Sequence, residues 1–205
     1  MKVSHILYKV KELEKGVEQF RQQGFTVEYG TKKKHYNALI YFSEGPYLEL
    51  IGNLKLPGVL NLILKIVGLG NVVNRLDRWR NAEEGLIDIC LENYKTHLEH
   101  EKKTLSDFGQ KYFERNGKRL DQKNRLLKYK VLFPFALELP FLMTYFTIDP
   151  KPKNYIHANG VKGIRSISFG TKEEFVPLIN ALCDDQTLKL FIGDGVKNLE
   201  YEKTR

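Results

Sequence analysis

One order of elements occurs twice in this chain, and that recurrence limits the folds open to it more than any other feature. Residues 2–8 alternate with the period of a strand, with Val3, His5 and Leu7 on one face and Ser4, Ile6 and Tyr8 on the other. Leu13, Val17 and Phe20 then recur at helical spacing, Gly24 reads as a C-terminal cap, and residues 25–29 resume extended structure. Residues 37–42 and 47–51 are two further strands, separated by a turn at Gly45-Pro46. The order returns from residue 85. A strand over 85–91 leads to a helical face of Tyr94, Leu98, Leu105 and Phe108, closed by Gly109. A strand over 111–115 turns at the hairpin signal Asn116-Gly117, and residues 125–133 and 141–148 supply two more. The repeat is one of structure, with little repetition of residues.

The fold class that follows is α+β, with paired β-α-β-β-β modules and a C-terminal β-α-β-β extension. The expected divisions are a first module over 1–52, an apolar helical connector over 53–84, a second module over 85–148, a linker over 149–160 and the extension over 161–205. In the extension, 161–169 alternates as a strand and Thr171-Lys-Glu-Glu174 offers a capping box. A helix runs to about Cys183 despite Pro177, and a terminal hairpin turns around Asp194-Gly195.

The chain is long enough, at 205 residues with 42% hydrophobic content, to bury a sizeable core. Its formal charge of +8 is dispersed among interleaved acidic residues and accompanies no nucleic-acid-binding signature, so nucleic acid is not an expected partner. The apolar run over 54–70 is interrupted by Lys55, Pro57, Asn61 and Lys65, short of what a transmembrane helix needs. Two well-separated cysteines in apolar surroundings and the lack of a secretory signal point to the cytoplasm. Nucleophile motifs, Gly-rich phosphate loops and cysteine metal clusters are all missing, which argues against hydrolases, kinases and nicotinamide enzymes.

The polar residues set into apolar strands are the candidates for chemistry: His5 in Val3-Ser-His-Ile-Leu, Asn37 opening the third strand, and Tyr47 and Glu49 in Tyr47-Leu-Glu-Leu-Ile. If the first and fourth strands lie side by side, an imidazole and a carboxylate meet on one sheet face. They would form half of a metal site, or simply satisfy one another by hydrogen bonding. Lys128 and Lys130 alternate onto one face and would draw an anionic ligand if that face is the cavity.

These segments resemble the glyoxalase-like branch of the vicinal oxygen chelate superfamily, which includes glyoxalase I, extradiol dioxygenases and bleomycin- and fosfomycin-resistance proteins. The resemblance rests on Ser4-His5-Ile6, Gly24-Phe25 with Gly30, His35-Tyr-Asn37-Ala-Leu-Ile, Tyr47-Leu-Glu49-Leu-Ile, Leu139-Pro-Phe and His157-Ala-Asn159-Gly160. It implies that the modules form a curved, partly open mixed sheet around a cavity, and that His5 and Glu49 hold a divalent metal ion, the candidate cofactor, with Glu49 the catalytic residue and Glu49 or Asp88 moving a proton. The position matching His5 in the second module is Asp88, and the one matching Glu49 is Met143 or Thr144, so the second half of the site looks eroded. His157 is the residue that would complete a set of two histidines and a carboxylate. Asn37, Tyr47, Asp88, Lys128 and His157 are the expected ligand-pocket residues. The implied function is a metal-dependent lyase, isomerase or dioxygenase acting on a small oxygenated molecule. The alternative is a non-catalytic protein that sequesters such a molecule, and a homodimer is the assembly that the family suggests.

Overall fold

The computed structural model describes residues 1–31, 35–52 and 70–204. The three lysines at 32–34 and nearly all of the apolar run over 54–70 lie outside the described residues. Eight strands form one sheet in the order β2-β3-β4-β1-β5-β8-β7-β6. These are β1 (Lys2–Lys9), β2 (Glu28–Tyr29), β3 (Asn37–Ile40), β4 (Tyr47–Ile51), β5 (Gly85–Asn93), β6 (Tyr112–Leu120), β7 (Leu126–Pro134) and β8 (Phe141–Thr144). In each half the first strand pairs in parallel with the fourth, β1 with β4 and β5 with β8. The halves meet where β1 and β5 run antiparallel.

The two outer edges of this curled sheet are drawn together by side chains. Arg119, on β6, donates to Gly30 O at 2.6 Å and to the Tyr41 hydroxyl at 2.8 Å. Gln122 donates to Tyr29 O at 2.8 Å and to Thr31 O at 3.1 Å.

On the convex face lies the main core, where Val17 and Phe20 of α1 (Leu13–Gln22) meet Ile6, Leu48 and Leu50. Gly24 ends α1 at φ +84°, with Phe25 N–H bonding Phe20 O and Gly24 N–H bonding Arg21 O, the paired bonds of a Schellman motif. α2 (Gly70–Asn81) places Trp79 on the concave side, and α3 (Glu99–Asp107) buries Leu105. Leu98 is buried just before α3, whereas Tyr94 and Phe108, expected on the same helical face, are 70% and 43% exposed because both fall outside the helix, which spans only Glu99–Asp107.

Several other expectations need correction. Asn116-Gly117 makes no turn; both residues lie within β6, where Gly117 faces Tyr129 across β7. A Cβ on Gly117 would sit 2.3 Å from the Tyr129 ring, so this glycine serves a close cross-strand approach. The hairpin turns instead at residues 121–124, where one Asp121 oxygen accepts from the N–H groups of Lys123 and Arg125, and Asn124 takes φ +59°. β8 stops at Thr144 rather than at residue 148.

The C-terminal sheet has the order β10-β9-β11, from β9 (Val161–Thr171), β10 (Leu188–Ile192) and β11 (Gly195–Lys203). β10 and β11 are therefore not a hairpin: β9 lies between them, parallel to β10 and antiparallel to β11. Thr171 caps nothing and donates instead to Glu138 O at 2.9 Å. Pro177 lies in the first turn of α4 (Val176–Leu182), where its missing N–H is harmless. Ile164, Ile167, Phe169 and Leu178 share the main core with Ile6 and Leu48.

Candidate functional site

A cavity of about 570 Å³ opens on the concave face, walled by Tyr47, Trp79, Tyr129, Phe133, Phe141 and Phe146. His5 of β1, Glu49 of β4 and Asn37 of β3 form its polar floor, and Arg115, Lys118 and Arg119 of β6 line it from the other half of the sheet. The parallel register sets His5 beside Tyr47 and Leu7 beside Glu49, so the two polar side chains share a face one step apart. His5 Nε2 lies 3.5 Å from Glu49 Oε2, and Asn37 Nδ2 donates to Glu49 Oε1 at 2.7 Å. Gly30 makes room for this contact, since a Cβ there would fall 2.1 Å from Asn37 Oδ1.

A bulge prepares His5. Val3 pairs with Leu91 and His5 with Cys90, leaving Ser4 as an extra residue on β1. The bulge breaks the alternation expected across residues 3–7, so Val3 joins Ile6 in the convex core while Leu7 packs on the concave side. It also brings Ser4 Oγ within 3.0 Å of His5 Nδ1. The Ser4 hydroxyl donates its single proton to Glu92 Oε2 at 2.6 Å, so it accepts from His5 Nδ1–H. The neutral imidazole consequently presents its bare Nε2 to Glu49.

The ring stacks on Tyr47, with centroids 4.8 Å apart, and takes the edge of Phe141. Burial, helped by the positive charges of Lys151 and Arg119, pushes the His5 pKa down to about 3. Burial pushes the Glu49 carboxyl up, against the opposing pull of the Asn37 hydrogen bond and the Arg119 charge. Burial pushes the Glu92 carboxyl up, against the opposing pull of Lys151, 3.8 Å away, and of the Ser4 hydrogen bond; a polar chain thus runs from Lys151 through Glu92, Ser4 and His5 to Glu49.

The strands of the second half that match β1 and β4, which are β5 and β8, contribute no matching donors. Cys90, rather than Asp88, lies opposite His5, and Phe141 lies opposite Cys90. Met143 lines the cavity, while Thr144 is occupied with Lys130 N–H. Cys90 is fully buried and its thiol is pushed well up by that burial.

Three of the expected pocket residues lie elsewhere. Asp88 is held beneath α2, where one carboxylate oxygen accepts from Arg75 Nη1 at 2.9 Å and from Trp79 Nε1 at 2.8 Å. Arg75 spends its other terminal nitrogen on the carbonyls of Pro134, Ala136 and Leu139. His157 is buried against Phe25 and Phe42; its Nδ1 accepts from Thr26 N–H and its Nε2 faces Tyr41 O, so both nitrogens are engaged away from the cavity. Lys128 faces outward from β7, into a separate depression.

These positions decide how well a divalent ion fits. An open metal site with room for two substrate oxygens takes three or four protein donors. The floor offers His5 and Glu49, and the facing positions are Cys90, Phe141 and Met143. Among the described residues no group of three or more His, Cys, Asp or Glu side chains is assembled to hold a metal ion. The residues present do not fit that cofactor.

Arg119, Arg75 and Trp79 were not singled out by the sequence reading. Arg119 was detectable through its alternation with Arg115 and Gly117 on β6, once those residues are recognised as one strand.

A family profile described as a glyoxalase-like domain matches residues 3–182. No curated protein matches the chain. A hypothetical protein from Staphylococcus aureus has a crystal structure similar to this one, with 16% identity and a TM-score of 0.64, covering 96% of this chain and 88% of that one. Methylmalonyl-CoA epimerases from Streptomyces coelicolor (14% identity, TM-score 0.43, 70% of this chain and 95% of that one) and Mycobacterium tuberculosis (12%, 0.43, 70% and 86%) are more distant. Among the described residues no helix is long and apolar enough to cross a membrane.

Proposed function

The chain belongs to the glyoxalase-like domain family of the vicinal oxygen chelate superfamily, and from that premise we propose that it binds a small oxygenated molecule in the concave cavity without a metal ion. The observation that carries this reading is the replacement of the second pair of donors by Phe141, Met143 and Cys90 beside an intact His5 and Glu49. Aromatic walls supply affinity for the apolar part of a ligand, and a few convergent polar groups fix its orientation. Here Glu49 accepts from a ligand hydroxyl, while Asn37 holds the carboxylate in place.

A thermal-shift screen of small hydroxy and oxo compounds, with and without an aromatic ring, tests the proposal when run in parallel with EDTA. Shifts that survive EDTA and shrink in Glu49→Gln are the expected result. Shifts that vanish with EDTA would return the site to metal chemistry.

A second reading is proton transfer, favoured by the bare His5 Nε2 at 3.5 Å from Glu49 Oε2. Burial lowers the imidazole to about 3 and raises the carboxyl above its ordinary 4.5, so a proton held by the pair rests on Glu49 rather than on His5. In that scheme Glu49 removes a proton from a carbon next to a ligand carbonyl and returns it, while the bare His5 Nε2 accepts a hydrogen bond from the protonated carboxyl. Deuterium incorporation from D2O into a bound screening hit, lost in Glu49→Gln, distinguishes turnover from binding alone.

A further inference from the structure

A second depression, of about 590 Å³, lies on the outer side of β6 and β7 and shares Lys118, Tyr129 and Phe146 with the wall of the first. Lys95, Lys118, Lys128 and Lys130 line it, and no carboxylate does. Lys118 and Lys128 face each other directly across the β6–β7 ladder, with Lys130 opposite Asn116 one step on. Like charges directly opposed on a sheet are unfavourable, so this pair is a cost to folding unless an anion offsets it.

None of the four lysines has an ion-pair partner among the described residues. The acid whose charge Lys130 influences, Glu99, is itself engaged by Lys102 at 2.9 Å. At the same site the Tyr94 ring lies 4.9 Å from that of Tyr145, tilted by 39°, yet remains 70% exposed, presenting an open aromatic surface beside the lysines.

We propose that this groove is a second binding site, for a nucleoside di- or triphosphate or a ligand of the same chemistry. The ammonium groups offset the phosphate charges and Tyr94 stacks on the base. Four flexible point charges suit the several oxygens of a polyphosphate, and a single exposed ring suits one base rather than a run of them. The site is independent of the cavity reading and stands or falls without it.

Isothermal titration at physiological ionic strength, with ADP, adenosine, inorganic pyrophosphate and a short oligouridylate as probes, tests the proposal. ADP is expected to bind at least about tenfold more tightly than adenosine or pyrophosphate alone, since each of those keeps only one of the two contacts. Lys128→Gln should weaken ADP by about tenfold or more, and Tyr94→Leu should weaken ADP but not pyrophosphate. Both side chains are exposed, so thermal melting of the variants confirms that each is folded. The proposal is overturned if ADP does not bind, if Lys128→Gln leaves its affinity unchanged, or if oligouridylate binds more tightly than ADP.

Discussion

The half of the sheet built on β1 and β4 aims its polar residues at the cavity, whereas the half built on β5 and β8 turns its own into the scaffold. The strand pairings are the same in both. In the first half His5, Glu49 and Asn37 converge on the cavity floor. In the second, Asp88 is committed to Arg75 and Trp79, and β8 offers the cavity only Phe141 and Met143. A duplicated architecture therefore does not duplicate a site. Ser4 and Gly30 hold His5 and Asn37 toward the cavity, whereas Arg75 and Trp79 hold Asp88 away from it.

The sharpest way to break this contrast is to remove the scaffold role. Asp88→Asn leaves the buried Arg75 guanidinium without a counter-charge and should cost roughly 3 to 5 kcal/mol in urea unfolding. Adding Arg75→Met should recover part of that loss. A fully additive double variant would mean that the two residues are not coupled.

The first half should reveal itself through pH. The folded His5 pKa, about 3, lies below the ordinary 6.5, so the unfolded chain binds more protons between those values. Stability from this group is complete above about pH 6.5 and falls as the pH drops towards 3, by roughly 3 kcal/mol at pH 4. Replacing His5 by Phe should flatten that acid limb, and an unchanged limb would assign it to other groups.

Glu49 has the opposite sign. Its carboxyl is raised by burial, so its contribution is complete below the ordinary value of 4.5 and is lost as the pH rises through the folded value. Glu49→Gln should consequently raise the melting temperature at pH 8, and the gain should shrink below pH 4.5. Ser4→Ala is the mildest of these changes, expected to cost about 1 kcal/mol. Its signature is spectroscopic: 15N shifts of the ring should show His5 losing its preference for the proton on Nδ1.

Much of the sheet was legible because alternation and helical spacing leave their mark on long segments. Where they failed, a local contact prevailed over a local propensity. Asn116-Gly117 carries a hairpin signature, but Gly117 is needed flat beneath Tyr129, and Asp121 supplies the turn a few residues later. Breaking β6 at that point concealed Arg119, the residue that ties the sheet edges together. The bulge at Ser4 leaves no trace in composition, yet it sets the His5 tautomer. His5, Asn37, Tyr47 and Glu49 were readable as a group because they lie on neighbouring strands in register. Asp88, Lys128 and His157 were misplaced because their directions depend on contacts more than thirty residues away or on which face of a curled sheet they occupy, apart from the nearby clasp that Arg75 and Trp79 make on Asp88.

The central claim is that the site works without a metal ion, and metal content measures it most directly. The protein, saturated in turn with Mn²⁺, Ni²⁺, Zn²⁺ and Fe²⁺ and then desalted, should retain only substoichiometric metal, indistinguishable from that of Glu49→Gln. A stoichiometric ion that is lost in His5→Ala or in Glu49→Gln would contradict the account.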